Sequence, residues 1–294
     1  MPNIAIVWDF DGTLTPDDST TKTVEVLRGE GKGEGFWTLI KSLRGDKRQP
    51  KWEHVLASDA PIWMYSLSRL AFERKVPLNS EFFREFILPK IQLYKNAESF
   101  LRALKALEEE KEFAHLDLKI HHFIISAGLK DLVEQVFPKG LVTWTFGCRY
   151  EVIVTAGHEN EPESIPVFCM DETMKTRSLF EISKGSFQDE NKSVNTRVEK
   201  RNLWAPFENI IYIGDGDTDV PALSLVRDKG GLGVAVYNPA SDKEQIFKKL
   251  KQMRLNKRAD LITAADFAKN SELFNYLLGR CNQIRQRYEA EQVL

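Results

Sequence analysis

Residues 4–15 read Ile-Ala-Ile-Val-Trp-Asp-Phe-Asp-Gly-Thr-Leu-Thr, a short apolar run that ends in two carboxylates, Asp9 and Asp11, and then Gly12. An Ile/Val/Trp run of this length reads as a buried parallel strand. The carboxyl end of such a strand lines the crevice where open α/β sheets bind ligands. Two acids one residue apart are costly to desolvate there unless a cation or a proton compensates. The pattern suits a Mg²⁺ site with one nucleophilic and one acid/base carboxylate. An ordinary Asp-Gly hairpin turn is the competing reading, so the decision passes to the rest of the chain.

The segment 17–93 carries helical patterns only: Thr20–Arg28, Gly35–Leu43, Trp52–Lys75, and a helix capped by Asn79 or Ser80 with Phe82, Phe83, Phe86 and Ile87. It is expected to be a helical module inserted into an α/β core. Beyond it come a helix at Asn96–Glu110, a strand at His122–Ile125 and a helix at Leu129–Phe137. Val142–Phe146 and Tyr150–Thr155 are read as the arms of a β-hairpin, with the polar stretch 157–164 as its loop. A helix at Met174–Ser183 stops at Gly185, residues 186–203 form a polar surface excursion, and a buried strand follows at Asn209–Ile213. Val234–Tyr237 and Leu261–Ile262 are further strands, and Ser271–Gln286 is a C-terminal helix. Strands alternating with helices give an α/β class with a doubly wound, Rossmann-like parallel sheet. The expected division is a core of 1–16 and 94–294 and an inserted α-helical cap domain of 17–93.

Three apolar strands end in polar groups: Asp9/Asp11, Ser126 and Asp215/Asp219. In a parallel sheet these ends share one edge, so groups more than 200 residues apart converge. Asp215-Gly-Asp-Thr-Asp219 also opens like a calcium-binding loop, but that pattern wants Gly sixth and Glu twelfth, where Val220 and Val226 stand.

The formal net charge of −2 over 294 residues offers no basic stripe for nucleic acid. Cys148, Cys169 and Cys281 form neither a CxxC pair nor an even disulfide framework. No stretch reaches the roughly 18 apolar residues of a membrane span. A cytoplasmic protein is expected, with no membrane partner and an oligomeric state left open.

The ordered set of motifs resembles the haloacid dehalogenase (HAD) superfamily: Asp-Phe-Asp-Gly-Thr-Leu-Thr at 9–15, Ser126 after a strand, a helix-initial Lys175, and Gly-Asp-Gly-Asp-Thr-Asp at 214–219. The helical insert after the first motif resembles the cap of the phosphoserine-phosphatase-like branch. The resemblance implies a Mg²⁺-dependent phosphatase acting on a small phosphorylated metabolite. Asp9 would be the nucleophile that forms an aspartyl-phosphate, and Asp11 the acid/base. Asp9, Asp215, the Asp11 carbonyl and Asp219, directly or through a water, would hold the metal. Gly12, Ser126, Ala127, Gly128 and Lys175 would receive the phosphoryl group, the 126–128 amides at a helix N-terminus. Dehalogenases of the superfamily lack an acid at the second position, so Asp11 favours phosphoryl transfer. Lys184, Lys192 and Lys200 compete with Lys175, but Lys184 sits just before Gly185 as a C-terminal helix charge. Lys175 is preferred because it follows Asp171 and Thr173 at a helix start near the active edge. The 40 positions from Lys175 to Asp215 are longer than is usual, an excess the 186–203 excursion could account for. Asp17 and Asp18 stand near the place where the serine-phosphate branch keeps a Glu. Arg28 or Arg44 are possible substrate contacts, and Trp37, Trp52, Trp63 and Tyr65 are cap aromatics of which one or two would face the pocket. The alternatives are a phosphotransferase or phosphomutase, or a phosphate-binding regulatory protein without turnover.

Overall fold

The computed structural model describes residues 3–29, 31–43, 59–157, 161–255 and 258–292. Seven strands form one sheet: β1 (Asn3–Trp8), β2 (Lys119–Leu129), β3 (Val142–Ile153), β4 (Glu163–Phe168), β5 (Ile210–Gly214), β6 (Leu232–Tyr237) and β7 (Leu261–Ala264). Their spatial order is β4-β3-β2-β1-β5-β6-β7, parallel throughout except for the antiparallel β3–β4 pair. The winding direction reverses at β1, which places the Asp9 end of that strand in the crevice between β2 and β5.

β1 is buried on both faces, which is why it reads as an unbroken apolar run. Ala5 and Val7 join one core cluster, and Ile4, Ile6 and Trp8 join the other, as the two-residue period of a strand requires. Helices α1 (Ser19–Arg28), α2 (Gly33–Leu43) and α3 (Asp59–Glu73) contribute Val24, Phe36 and Trp63 to the first cluster. The opposite face is covered by α4 (Ala97–Lys105) and, at the other end of the chain, by the long helix Glu272–Gln292.

The helical stretch leaves and re-enters the core at one point. Thr15 Oγ1 donates to the Gln92 carbonyl at 2.7 Å, and the Tyr94 amide donates to the Leu14 carbonyl at 3.0 Å. Its described residues hold no strand. Asn79, not Ser80, caps the segment after α3, accepting from the Phe82 amide at 2.9 Å. The 52–58 part of the expected helix 52–75 lies outside the described residues, and so does Arg44.

Two expectations are corrected. Val142–Phe146 and Tyr150–Thr155 are not two arms of a hairpin: residues 142–153 run as one strand, and its antiparallel partner is 163–168. The tight Phe146-Gly147-Cys148 passage resembles a break in sequence. In the fold, a Cβ at Gly147 would sit 3.0 Å from the Lys130 backbone, so glycine serves close approach within the strand, not a turn. This hairpin also carries the helical stretch. Tyr150 donates its hydroxyl to the Met64 carbonyl at 2.6 Å, Ser68 donates to the Ser164 carbonyl, and Ser164 Oγ accepts the Leu78 amide at 2.9 Å. The second correction concerns β2, which continues through Ser126 to Leu129. The helix expected at Leu129–Phe137 is a single turn, Lys130–Val133, so residues 126–128 belong to strand rather than to a helix N-terminus.

Helix α5 (Glu172–Lys184), the expected Met174 helix, is capped by Asp171, which accepts from the Thr173 and Met174 amides at 2.9 and 2.7 Å. Lys184 at its end donates to the carbonyls of Val194 and Thr196 and so ties down the 186–203 excursion. Helix α6 (Val220–Asp228) follows β5, and α7 (Lys243–Leu255), which the sequence pattern did not suggest, precedes β7. No described helix is long and apolar enough to cross a membrane.

Candidate active site

Asp9 directly continues β1. Its amide donates to the Ile213 carbonyl at 2.8 Å, which sets the end of β1 beside the end of β5. The chain then turns tightly, with the amides of Thr13, Leu14 and Thr15 all donating to the Phe10 carbonyl. Gly12 sits in this turn at φ +76°, and a Cβ there would lie 2.6 Å from the Asp215 carboxylate. Both features demand glycine. The same residue thereby lets the loops after β1 and β5 meet.

Asp9, Asp215 and Asp219 each offer one carboxylate oxygen within 4.8 Å of the other two. Lys175 reaches into this cluster from α5, with Nζ 2.8 Å from Asp9 Oδ1 and 2.6 Å from Asp219 Oδ1. Lys175 and Asp219 are completely buried, and Asp9 nearly so. Burial would by itself push the Lys175 ammonium down, but Asp219 and Asp9 more than offset it and hold the lysine charged. Burial, followed by repulsion from Asp219, pushes the Asp9 carboxyl up, while Lys175 opposes the rise. Two buried carboxylates sharing one ammonium leave an uncompensated negative charge, which a cation at the site would balance.

The donor set fits a hard divalent ion that takes few protein oxygens. Asp9 and Asp215 line the cavity and are placed to hold it. Asp219 is differently employed: its Oδ1 accepts from both Lys175 and Tyr212, and its Oδ2 accepts from the Gly216 amide at 3.0 Å. These contacts make it the anchor of Lys175 beside the group of carboxylates that could hold the ion.

Asp11 is cradled by the first residue of α1. Its Oδ1 accepts the Ser19 amide at 2.8 Å and its Oδ2 accepts the Ser19 hydroxyl at 2.9 Å. Burial foremost, and then the nearby Asp18 carboxylate, hold the Asp11 carboxyl well above the usual range, against the Ser19 hydrogen bonds. Asp18 caps α1, accepting from the Thr21 amide at 2.6 Å. A Cβ at Gly128 would lie 2.8 Å from Ser19 Oγ and 2.9 Å from Asp11 Oδ2, so Gly128 is the wall against which this pair packs. Ser126 is fully buried, and its Oγ accepts the Gly128 amide at 2.9 Å. Ala127 and Gly128, rather than Ser126, line the cavity.

That cavity measures about 680 Å³. Asp9, Asp11, Gly12, Lys175 and Asp215 form its floor, and Trp37 and Trp63 come to it from the helical stretch. Tyr65 is exposed instead, Trp52 lies outside the described residues, and Arg28 stacks over Phe36. Of the competing lysines, Lys192 pairs with Asp189 and Lys200 with Glu208, both on the surface.

Two participants escaped the sequence reading. Ser19 sits eight positions after Asp11, and its signal was the Asp18-Ser19 helix start. Tyr212 looked like one more apolar strand residue and left no polar signal.

The haloacid dehalogenase-like hydrolase family profile matches residues 6–224. An uncharacterized protein of Borreliella burgdorferi is 24% identical over 290 residues, 94% of this chain and 95% of its own. A HAD family hydrolase from Salmonella enterica subsp. enterica serovar Typhi superposes with a TM-score of 0.52 at 15% identity, over 84% of this chain and 66% of that one. An apo phosphoserine phosphatase gives a TM-score of 0.49 at 17% identity, over 89% and 93%.

Proposed function

The chain belongs to the haloacid dehalogenase-like hydrolases, and from that premise we propose that it is a Mg²⁺-dependent phosphatase of a small phosphomonoester. The observation that carries the reading is Asp11, a second carboxyl beside Asp9 on the cavity wall, half-buried, held by Ser19 and biased toward its protonated form. An alkoxide leaving group needs a proton and a halide does not, so this acid favours phosphoester over carbon–halogen cleavage.

Asp9 attacks phosphorus, the P–O bond to the alcohol breaks, and Asp11 gives its proton to the departing oxygen. Asp11, now ionised, takes a proton from water; the water oxygen attacks phosphorus and the Asp9 acyl-phosphate bond breaks, releasing phosphate. Lys175 neutralises charge between Asp9 and the phosphoryl oxygens. Mg²⁺, held by Asp9, Asp215 and the Asp11 carbonyl, would supply charge neutralisation of the phosphoryl group. Ala127 and Gly128 line the same cavity and would flank the phosphoryl group, although the Gly128 amide itself is held by Ser126 Oγ.

Residues 17–93 are read as a cap that selects the alcohol portion. Supporting this, both ends of the stretch meet at Thr15 and Gln92, and Trp37 and Trp63 line the cavity. The substrate is a small phosphorylated metabolite.

Phosphate release from a panel of small phosphomonoesters, run with Mg²⁺, with EDTA, and with Asp9→Asn, tests the reading. Release that needs both Mg²⁺ and Asp9 is expected. Release that survives either change would overturn it, and phosphate found on an added acceptor alcohol would mark a phosphotransferase.

A further inference from the structure

Tyr212 stands in the middle of β5, a strand buried along its whole length. A phenol there costs free energy unless its hydroxyl finds a partner, and Phe would fill the same volume without that cost. Its hydroxyl donates to Asp219 Oδ1 at 2.6 Å, the same oxygen that accepts Lys175 Nζ at 2.6 Å. The Gly216 amide holds the other oxygen at 3.0 Å. Three donors thus converge on one fully buried carboxylate. Two of them approach a single oxygen, one from β5 and one from α5, which fixes the place of that oxygen.

We propose that Tyr212 is a positioning residue for the reaction: its hydroxyl pins Asp219 so that Lys175 is aimed at Asp9. The inference rests on the reading of Asp9 as the reacting carboxylate. Lys175 has three ammonium protons. One goes to Asp219 and one to Asp9, and the residue also lines the cavity. A carboxylate free to rotate would let the lysine follow it, and the ammonium would then leave the line between Asp9 and an incoming phosphoryl oxygen. Tyr212 itself does not line the cavity and acts only through Asp219.

The test is Tyr212→Phe, which keeps the ring. With p-nitrophenyl phosphate, kcat is expected to fall roughly 10- to 100-fold while KM stays within about 3-fold, the pattern of a lost supporting contact. A second arm needs no turnover: urea unfolding of wild type, Tyr212→Phe, Asp219→Ala and the double variant. Tyr212→Phe should raise the unfolding constant about 10-fold in the wild type and less than about 2-fold when Asp219 is absent. A kcat within about 2-fold of wild type, or equal unfolding effects in both backgrounds, would reduce Tyr212 to a packing residue and overturn the proposal. Should no phosphomonoester be turned over by the wild type, the phosphatase reading fails on its own, and the unfolding arm still decides whether Tyr212 and Asp219 act as a unit.

Discussion

The Lys175 ammonium lies 2.8 Å from the Asp9 carboxylate, although 166 positions separate the two residues. One comes from the first helical turn of α5 and the other from the end of β1. Their pairing is shared with Asp219, so a substitution at any of the three changes the charge balance at the other two.

Lys175→Met removes the cation that the two buried carboxylates share. The cost is expected to be about 3–5 kcal/mol in urea unfolding without Mg²⁺ at neutral pH. The loss should shrink as pH falls, because Asp9, already pushed up to about 7, takes a proton in the folded state. A destabilisation that grows toward acid would contradict this account of the pair.

Asp9→Asn removes the nucleophile and also one of two carboxylates that repel each other. Turnover should fall by roughly 10³-fold or more, with no loss of stability in the absence of metal. Phosphate release and urea unfolding on the same preparation check both halves, and an unfolded variant would refute the second.

Gly12→Ala places a methyl group against the Asp215 carboxylate, at a φ that disfavours any L side chain. The strain is expected to cost about 1–2 kcal/mol and to raise the Mg²⁺ concentration for half-maximal activation. An unchanged Mg²⁺ requirement would show that Asp215 does not hold the ion.

His122 is buried between two partners. Its Nδ1 accepts the Trp8 indole N–H at 3.1 Å, so its Nε2–H donates to the Leu101 carbonyl at 2.9 Å and the ring is neutral. Burial pushes it from 6.5 down to about 3. An unfolded chain takes up this proton below about pH 6.5 and the folded one does not, so stability is lost as pH falls, by up to about 1.4 kcal/mol per pH unit. Asp9 and Asp11, raised in the fold, work in the opposite sense, so the informative quantity is a difference. The stability advantage of wild type over His122→Gln should narrow between pH 7 and pH 4. An advantage independent of pH would mean that His122 is not buried as the neutral ring.

Trp37→Ala should reorder the substrate panel with little change in Mg²⁺ activation. Trp37 lines the cavity from α2, with its indole N–H on Thr21 Oγ1 at 2.7 Å. A uniform loss on every substrate together with weaker Mg²⁺ activation would argue against the cap reading.

The sequence by itself determined the frame. The apolar run before Asp9, the Gly-Asp turn at 214–215 and the alternation of strands with helices are local patterns, and a parallel doubly wound sheet brings their ends together whatever the loops do. A long helical stretch, with no strand among its described residues, was legible for the same reason. The tertiary structure alone decided the rest. The helix start after Asp171 favoured Lys175 over Lys184, but only the placement of α5 shows its ammonium on Asp9 and Asp219 and that of Lys184 on the Val194 and Thr196 carbonyls. The β3–β4 pairing joins residues across a loop that periodicity does not read, and the continuation of β2 through Gly128 is set by its neighbours, not by its own sequence. Ser19 and Tyr212 have ordinary helix-start and strand identities, and their roles arise from the oxygens that folding places beside them. Local patterning decides which elements form. The burial of charge, and what compensates it, depends on contacts between residues far apart in the chain.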